Sequence, residues 1–462
     1  MLQECENLMG RLLGSKDVHI HDTKARWAIL VLCCITMLGP YFCYDALGPL
    51  QSPIQEVFNL DNSEFNNLYA SGYYAGMLTP FFGGLLIDKL GLRKVYFLFI
   101  LTAAVGQWLV ARGASNMSLS SMMIGRALYM VGHENAYVAK SAMISKWFKP
   151  NQLAFAMGVT LCSSRLGSAL TAYFGPLIYL NYQSIAAPLY FGYYMCLFSL
   201  IAALAIYAID SRADEKDEDK TLESEAFHLG DLKSLSKVYY LLVLNIILLY
   251  GVLFGFLYNC SHMMTQRFGF ELAEAGKYMT LIFVVATASL IPISYYIDKI
   301  GKRINVIMFS SVFLAILHLF TAHLSNSYDN PNKLVIITLI GAGIGYGVYA
   351  SVSWPTLALT AEPKVRGTAF GLCGSLQNFA LAIGAHIIGW VHDVTIETDH
   401  GYYWTEIYLV LLSVLGYAAG YQILKEDEKN GTVLNASASE EQQERFHQMN
   451  EETSKEIEMS KV

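Results

Sequence analysis

Charged residues are scarce in this chain, and their scarcity argues against an ordinary soluble fold. Only 15% of the 462 residues are charged and 54% are hydrophobic, whereas a soluble domain usually carries about 25% charged residues. No stretch combines a basic patch with interleaved aromatics, so nucleic acid is not expected as a partner. Residues 1–26 are polar and mixed in charge, so we expect no cleaved signal peptide.

The eight cysteines follow neither a disulfide framework nor the spacing of a metal site. Most of them lie inside apolar segments, where small buried packing residues are expected. These are Cys33, Cys34, Cys43, Cys162, Cys196 and Cys373. The sequence also has no phosphate-binding loop and no nucleophile–base pattern. We therefore expect no metal, no cofactor and no enzymatic activity.

Long apolar segments are the main feature that the sequence does contain. A bilayer-spanning helix needs about 20 apolar residues, and these segments are too long and continuous for the strands of a membrane barrel. We identify twelve of them: 27–47, 69–88, 95–112, 121–145, 154–178, 190–209, 238–258, 275–297, 304–324, 334–359, 368–391 and 405–424. The sequence therefore predicts an all-α membrane protein with twelve transmembrane helices.

Basic residues predict the orientation of these helices. Loops on one side of the predicted bundle carry Lys and Arg, whereas 47–66, 180–189 and 393–404 carry neither. Because basic loops stay in the cytosol, both termini are predicted to be cytosolic. The predicted organisation is a cytosolic tail (1–26), a six-helix bundle (27–209), a cytosolic loop (210–237), a second six-helix bundle (238–424) and a disordered acidic tail (425–462).

A motif occurs twice, 210 positions apart. The first copy is Asp88-Lys89-x-Gly91-x-Arg93 and the second is Asp298-Lys299-x-Gly301-x-Arg303. Each copy ends one apolar segment and precedes the next. A repeat of this length in so apolar a chain indicates a membrane transporter built from two similar halves.

Ionisable residues inside the apolar segments predict the site. Each costs roughly 2.5–3.5 kcal/mol on insertion, so such residues usually face a cavity and have a function there. Glu134 and Arg165 lie near the middle of the fourth and fifth segments, hence at similar depth. Together they offer an acid for an ammonium group and a planar guanidinium for a carboxylate. The alternative is that the two form a structural salt bridge.

The repeated motif resembles the signature of the major facilitator superfamily between its second and third helices. Further segments are similar, in their order, to the lysosomal dipeptide transporters of that superfamily. They include Tyr41-Phe-Cys-Tyr44-Asp45, Gly125-Arg126, Gly132-His-Glu134, Arg165-Leu-Gly-Ser168, Trp354-Pro355 and Gln377-Asn378. The resemblance implies the major facilitator fold, with two six-helix bundles. It also implies alternating-access uniport of dipeptides from the lysosome lumen to the cytosol, with Glu134 and Arg165 binding the substrate.

Other residues receive roles from position and resemblance together. The gating set is Asp88, Arg93, Arg126, Asp298 and Arg303. Tyr44 and Trp354 are expected to line the substrate cavity. Gln377 and Asn378 supply amides where the first half has Arg165, because Asn378 occupies the matching place in the repeat. Lys140 departs from the family pattern, and we expect it either to line the exit path or to snorkel.

Two rival functions stay open at this point. One is a proton-coupled carrier of organic anions or other small metabolites, with Arg126, Lys140 and Arg165 attracting the anion and Glu134 taking the proton. The other is a membrane receptor or scaffold that does not transport. The resemblance places the protein in the lysosomal membrane, with the plasma membrane or another endomembrane as alternative. It also implies a glycosylated single-pass accessory subunit, and a homodimer is a further expectation.

Overall fold

The structure, a computed structural model, describes residues 23–148, 150–214, 235–327, 330–361, 366–429 and 434–436. Helices make up almost all of this part of the chain, and it contains no β-strand. Large parts of the predicted tails and of the predicted central loop, namely residues 1–22, 215–234 and 437–462, lie outside the described residues.

Twelve long helices, labelled α1 to α12, form the described part of the fold. In chain order they are Ala25–Tyr44, Asn62–Leu90, Leu92–Ser115, Leu119–Trp147, Pro150–Tyr182, Ala186–Asp214, Lys237–Gln266, Leu272–Ile300, Arg303–Ala322, Val335–Leu359, Arg366–Val394 and Tyr402–Lys429. A short helix, Gln51–Phe58, lies between α1 and α2. Within the described ranges, nine helices are long and apolar enough to cross a membrane; α2, α4 and α5 are not among them.

Successive helices run in opposite directions, so the bundle has two ends. We call the end with the α2–α3, α4–α5, α8–α9 and α10–α11 connections the basic end, because most of the Lys and Arg of the loops lie there. The other is called the opposite end, and it holds the α1–α2, α7–α8 and α11–α12 connections. Exposed aliphatic and aromatic side chains cover the outer helices, as with Ile201 of α6 and Phe309 of α9. Such surfaces suit a lipid environment.

In both halves the repeated motif forms a turn with glycine at a positive φ, and in the second half Lys302 is also left-handed (φ 56°) before α9 begins. Gly91 separates α2 from α3 with a φ of 84°, and Gly301 separates α8 from α9 with a φ of 74°. Glycine adopts these positive φ values at no steric cost. The N–H of each glycine donates to the carbonyl oxygen four residues earlier, at 2.9 Å for Gly91 and 2.7 Å for Gly301. The sequence repeat therefore corresponds to a structural repeat.

The two halves pack through equivalent helix pairs, α2 with α11 and α5 with α8. At Gly389 of α11, an added Cβ would lie 2.7 Å from Ser63 Cα. At Gly276 of α8, it would lie 2.5 Å from the carbonyl oxygen of Ala172. Small residues allow this close approach of helix backbones, and the approach brings the midpoints of α4 and α5 near the boundary between the halves.

Candidate substrate site

Arg165 is a buried cation at the midpoint of α5, with 9% of its side chain exposed. Its guanidinium lies between two aromatic rings from opposite halves, 5.3 Å from the ring centre of Tyr41 and 4.8 Å from that of Tyr346. Among the described residues no group accepts a hydrogen bond from it, and its Nε is buried without a partner. Its described contacts are cation–π contacts, although the group has five N–H donors.

Glu134 lies at the midpoint of α4 and is half-buried. It makes no ion pair with Arg165. Burial is the main factor that acts on the charge of its carboxyl group. Both Glu134 and Arg165 interact electrostatically with Tyr41 and Tyr137. The acid and the guanidinium are therefore within electrostatic range of the same two tyrosines, and in this conformation they do not form the alternative salt bridge.

A narrow void of about 10 Å³ lies beside Arg165. Side chains of α5, α7, α8 and α10 line it, among them Leu253, Phe283 and Tyr346. Glu134 is not one of its lining residues. The void has room for about one water molecule, so in this conformation the space between the halves is closely packed around the guanidinium.

Four tyrosines close the site toward the opposite end. The hydroxyls of Tyr44 and Tyr73 lie 3.1 Å apart, and Tyr73 also bonds the hydroxyl of Tyr258 in the second half. Tyr69 stacks on Tyr258 with ring centres 4.0 Å apart. We call Tyr44, Tyr69, Tyr73 and Tyr258 the tyrosine gate. The predicted cavity residue Tyr44 is thus part of a contact between the halves.

Arg126, predicted as a gating residue, holds the end of α1. Its two terminal nitrogens donate to the carbonyl oxygens of Cys43 and Tyr44, at 2.8 and 2.6 Å. Such carbonyls carry the negative end of the helix dipole, so a buried cation is favourable there. Arg126 is 2% exposed and fixes the backbone next to the tyrosine gate.

A second contact joins the halves at the opposite end. The Asp393 carboxylate of α11 accepts hydrogen bonds from the backbone N–H of Asn62 (3.1 Å) and of Ser63 (2.8 Å), and from the Ser63 hydroxyl. A carboxylate is favourable at a helix N-terminus, and here it comes from the other half. We call Asp393, Asn62 and Ser63 the opposite-end lock. The Nδ1 atom of the neighbouring His392 also lies 2.7 Å from Asn62 Nδ2.

The sequence did not predict this lock, although one signal was present. Asp393 directly follows the apolar part of α11, and Ser63 lies in the first turn of α2, where an external acid can bind free N–H groups. A cavity of about 430 Å³ lies outside the lock, and Glu56, His262 and His400 are among its lining residues.

In the second half, Trp354 forms one side of an aromatic cluster. Its Nε1 donates to the Tyr250 hydroxyl at 2.8 Å, and its ring stacks on Phe370 at 5.9 Å. Tyr250 in turn packs edge-on against Tyr346 at 6.3 Å. The sequence predicted Trp354 but missed Tyr250 and Tyr346. For Tyr346 the signal was its position between Gly345 and Gly347, which let α10 pack closely against Leu314 and Ser289.

The two predicted amides differ in their surroundings. Asn378 is buried, and its Nδ2 lies 3.3 Å from the position that a Cβ would take at Gly76 of α2. It therefore packs across the boundary between the halves. Gln377 is half-buried. Neither amide hydrogen-bonds to Arg165 or Glu134.

At the basic end, the predicted gating residue Arg93 belongs to a charge cluster. Its guanidinium lies 3.8 Å from Asp210, whose carboxylate also binds Lys146 at 2.9 Å and the indole N–H of Trp147 at 2.8 Å. Asp210 is 1% exposed. The sequence assigned Asp210 to the central loop, but it lies in α6, which continues to Asp214.

The other predicted gating residues are partly accounted for. The side chains of Asp88 and Asp298 lie outside the described residues. Arg303 begins α9 and donates to the carbonyl oxygen of Ala436 at 3.0 Å. The Asn435 side chain accepts from Ile304 N at 2.9 Å. The short segment 434–436 therefore binds the second copy of the repeated motif.

Lys140 lies inside the first half rather than in a cavity between the halves. It is 1% exposed. Its Nζ donates to the Thr160 hydroxyl of α5 at 3.3 Å and lies 4.1 Å from the ring centre of Tyr137. The structure therefore brings Glu134, Arg165, Tyr41 and Tyr137 into one region. Lys140 packs within the first half, next to Tyr137.

Comparison with known proteins identifies the family. The Major Facilitator Superfamily profile matches residues 32–385. The chain belongs to the Major Facilitator Superfamily. This transporter is 28% identical over 427 residues to "Lysosomal dipeptide transporter MFSD1" of Danio rerio, which covers 90% of each chain. It is 27% identical over 434 residues to the protein of that name from Homo sapiens, covering 91% of this chain and 90% of the relative.

Solved structures of major facilitator transporters share the fold. The nucleoside transporter NupG aligns with a TM-score of 0.66 at 14% identity, covering 86% of this chain and 99% of NupG. The POT family transporter PepTSo aligns with a TM-score of 0.64 at 11% identity, covering 88% and 99%. The predicted resemblance to the lysosomal dipeptide transporters is confirmed, and the protein is a membrane-embedded carrier of a small molecule rather than an enzyme.

Proposed function

We propose that this protein carries dipeptides out of the lysosome lumen into the cytosol, as a uniporter working by alternating access. The observation that supports this most is Arg165, a buried guanidinium that no described residue satisfies. Glu134 lies at the same depth on the next helix and is also unpaired. A dipeptide supplies the carboxylate and the ammonium group that these two side chains lack.

Glu134 and Arg165 form no ion pair with each other in the described structure, which leaves both charges for the two ends of a zwitterion. Arg165 takes the carboxylate through two parallel hydrogen bonds, and Glu134 takes the ammonium. Tyr41 and Tyr137 lie along the peptide between them, and Gln377 and Asn378 of the second half offer amides to its peptide bond. Recognition of the termini and the backbone leaves the peptide side chains free to vary.

We further propose twelve membrane crossings with both termini in the cytosol, so that the basic end is cytosolic and the opposite end faces the lumen. In that orientation the tyrosine gate and the opposite-end lock close the lumenal side. The contacts described at the basic end, around Asp210 and around Arg303, each lie within one half. This arrangement supports a conformation in which the lumenal path is shut.

The names of the relatives support the lysosomal membrane as the location. A glycosylated single-pass accessory subunit and a homodimer remain predictions from the resemblance. A proton-coupled carrier of organic anions and a non-transporting receptor are the competing functions.

The test uses purified protein in vesicles and counterflow of a labelled dipeptide. We expect Arg165→Ala and Glu134→Gln each to lower flux at least about tenfold, because each removes a charged hydrogen-bond partner. Arg112→Ala and Glu274→Gln are matched controls, since both remove exposed charges, and they should leave flux unchanged.

Normal dipeptide flux in Arg165→Ala protein would contradict the proposed carboxylate site. Proton-linked uptake of organic anions in place of dipeptides would favour the rival carrier. Stabilisation by ligand without any flux would favour the receptor.

A further inference from the structure

The contacts described so far assign no role to the buried acid Asp45. It directly follows α1, is 1% exposed, and both of its carboxylate oxygens are buried without a hydrogen-bond partner in the described part of the chain. A role as helix cap does not explain it, because a negative charge is unfavourable at a helix C-terminus. A buried acid without partners is costly to keep, so a functional role is the more economical explanation.

The cations near Asp45 belong to the substrate site. Asp45 interacts electrostatically with Arg165 and Arg126, yet it forms no ion pair with either within 4 Å. Arg126 is already bound to the carbonyl oxygens at the end of α1. On α5, the Ser168 hydroxyl lies one turn beyond Arg165 and is next to the Asp45 carboxylate, although outside full hydrogen-bond geometry. Asp45, Ser168 and Arg165 therefore lie close together, and Ser168 is a weak polar neighbour of the acid.

Asp45 lies within electrostatic range of a side chain from the second half. Tyr346 of the second half lines the void beside Arg165 and interacts electrostatically with both Arg165 and Asp45. The negative charge of Asp45 therefore lies within electrostatic range of the place where Arg165 would hold a substrate carboxylate. The part of the substrate nearest to Asp45 would then be the side chain of the C-terminal residue.

The formal charges of this region sum to zero. Two arginines, Arg126 and Arg165, face two acids, Asp45 and Glu134. A zwitterionic dipeptide leaves that sum unchanged, whereas a peptide with one more carboxylate adds a negative charge beside Asp45. At a separation of several ångströms, like charges repel enough at an effective protein dielectric of about 20 to change affinity at least about tenfold.

We propose that Asp45 is a specificity-determining residue that excludes dipeptides with an acidic C-terminal side chain. The inference rests on the proposed function, since it assumes that Arg165 binds the carboxylate end of a dipeptide. In this proposal, Asp45 selects against a second negative charge at the C-terminal end of the dipeptide.

The experiment compares Ala-Gln with Ala-Glu, two dipeptides of nearly equal size that differ by one charge. Affinities are measured by ligand-induced thermal stabilisation of the purified full-length protein at about pH 7.5, where the glutamate side chain is ionised. The unmodified protein should favour Ala-Gln at least about tenfold. Asp45→Asn should reduce this preference about tenfold, and Asp45→Glu should retain it.

Glu56→Gln is the matched control, because Glu56 is an exposed acid at the same end of the molecule, and it should leave the preference unchanged. Two results would overturn this inference and leave the proposed function standing. One is an unchanged preference in folded Asp45→Asn protein, and the other is equal binding of both dipeptides by the unmodified protein. Binding of neither dipeptide overturns the proposed function together with it. If Asp45→Asn does not fold, Asp45→Ser and the preference of the unmodified protein decide.

Discussion

Lys140 and Arg165 are both buried cations without an acidic partner among the residues described, but their surroundings differ. Arg165 lies between tyrosines of the two halves and beside a void. Lys140 packs inside the first half against Thr160 and the ring of Tyr137. One hydroxyl and one aromatic face compensate poorly for taking an ammonium group out of water.

We predict that Lys140→Met stabilises the protein by about 1–2 kcal/mol, because an apolar side chain of similar length avoids that desolvation. Dipeptide flux should remain close to normal. Thermal unfolding in detergent and counterflow in vesicles measure the two effects. Lys146→Met is the control and should lower stability, since Lys146 binds Asp210. Loss of flux at normal stability would instead place Lys140 on the transport path.

Single-residue positions were predictable where depth alone decided them. Glu134 and Arg165 fall at the midpoints of their helices, which hydrophobic segment boundaries locate. The angle of about 120° between Glu134 and Lys140 around α4 also indicated that Lys140 would not share the face of Glu134. Tyr346 was missed, and no specificity role was predicted for Asp45, because their surroundings depend on contacts between helices that lie far apart in the sequence.

At the scale of helices, Asp210 joins three of them at the basic end. It lies near the end of α6, while Arg93 begins α3 and Lys146 and Trp147 end α4. One buried carboxylate thus fixes the relative positions of three helix ends, and the first copy of the repeated motif is part of that contact.

We predict that Asp210→Asn lowers the free energy of unfolding by about 3 kcal/mol, because two cations lose their buried counter-ion. The asparagine oxygen can still accept from Trp147, so Asp210→Ala should be less stable again by about 1 kcal/mol. Thermal unfolding of both variants measures the difference. Equal stability of Asp210→Asn and the unmodified protein would show that the ion pairs contribute nothing.

Helix boundaries were harder to predict than helix existence. Each of the twelve predicted segments overlaps one long helix, but α2 begins at Asn62 and not at residue 69. A capping box formed by Asp61 and Glu64 starts it within a polar stretch. Hydrophobic runs do not mark such polar turns, and the same reason explains why α6 extends beyond its apolar part.

At the scale of the whole molecule, the two halves meet through the tyrosine gate and the opposite-end lock. Alternating access requires both contacts to break when the opposite end opens. The Asp393 carboxylate binds both the backbone N–H and the hydroxyl of Ser63, so we expect cysteines at these two positions to come close enough for cross-linking.

We predict that the double variant Ser63→Cys, Asp393→Cys forms a disulfide on oxidation and then stops transport, because the halves can no longer separate at that end. Reduction should restore flux to the level of the reduced double variant. Each single variant under oxidant is the control and should stay active. Full transport by the cross-linked protein would contradict opening at this end.

The division into halves was predicted from the repeat, and Gly91 and Gly301 each follow a helix at a positive φ. The conformation was not predictable, because one sequence must serve every state of a transport cycle. The contacts that join the halves differ between states and depend on the tertiary arrangement of residues such as Ser63 and Asp393. The spacing of these residues in the chain does not predict such contacts.

The contact of Asn435 with the start of α9 bears on where the chain can be shortened. Its backbone carbonyl and its side chain accept hydrogen bonds from Lys302 N and Ile304 N, both at 2.9 Å, and Lys302 offers no side-chain cap of its own. A protein truncated at Lys429 would leave those two amides to water and free the turn after α8. A truncation placed after Ala436 would remove the acidic terminus and keep the brace on the second half.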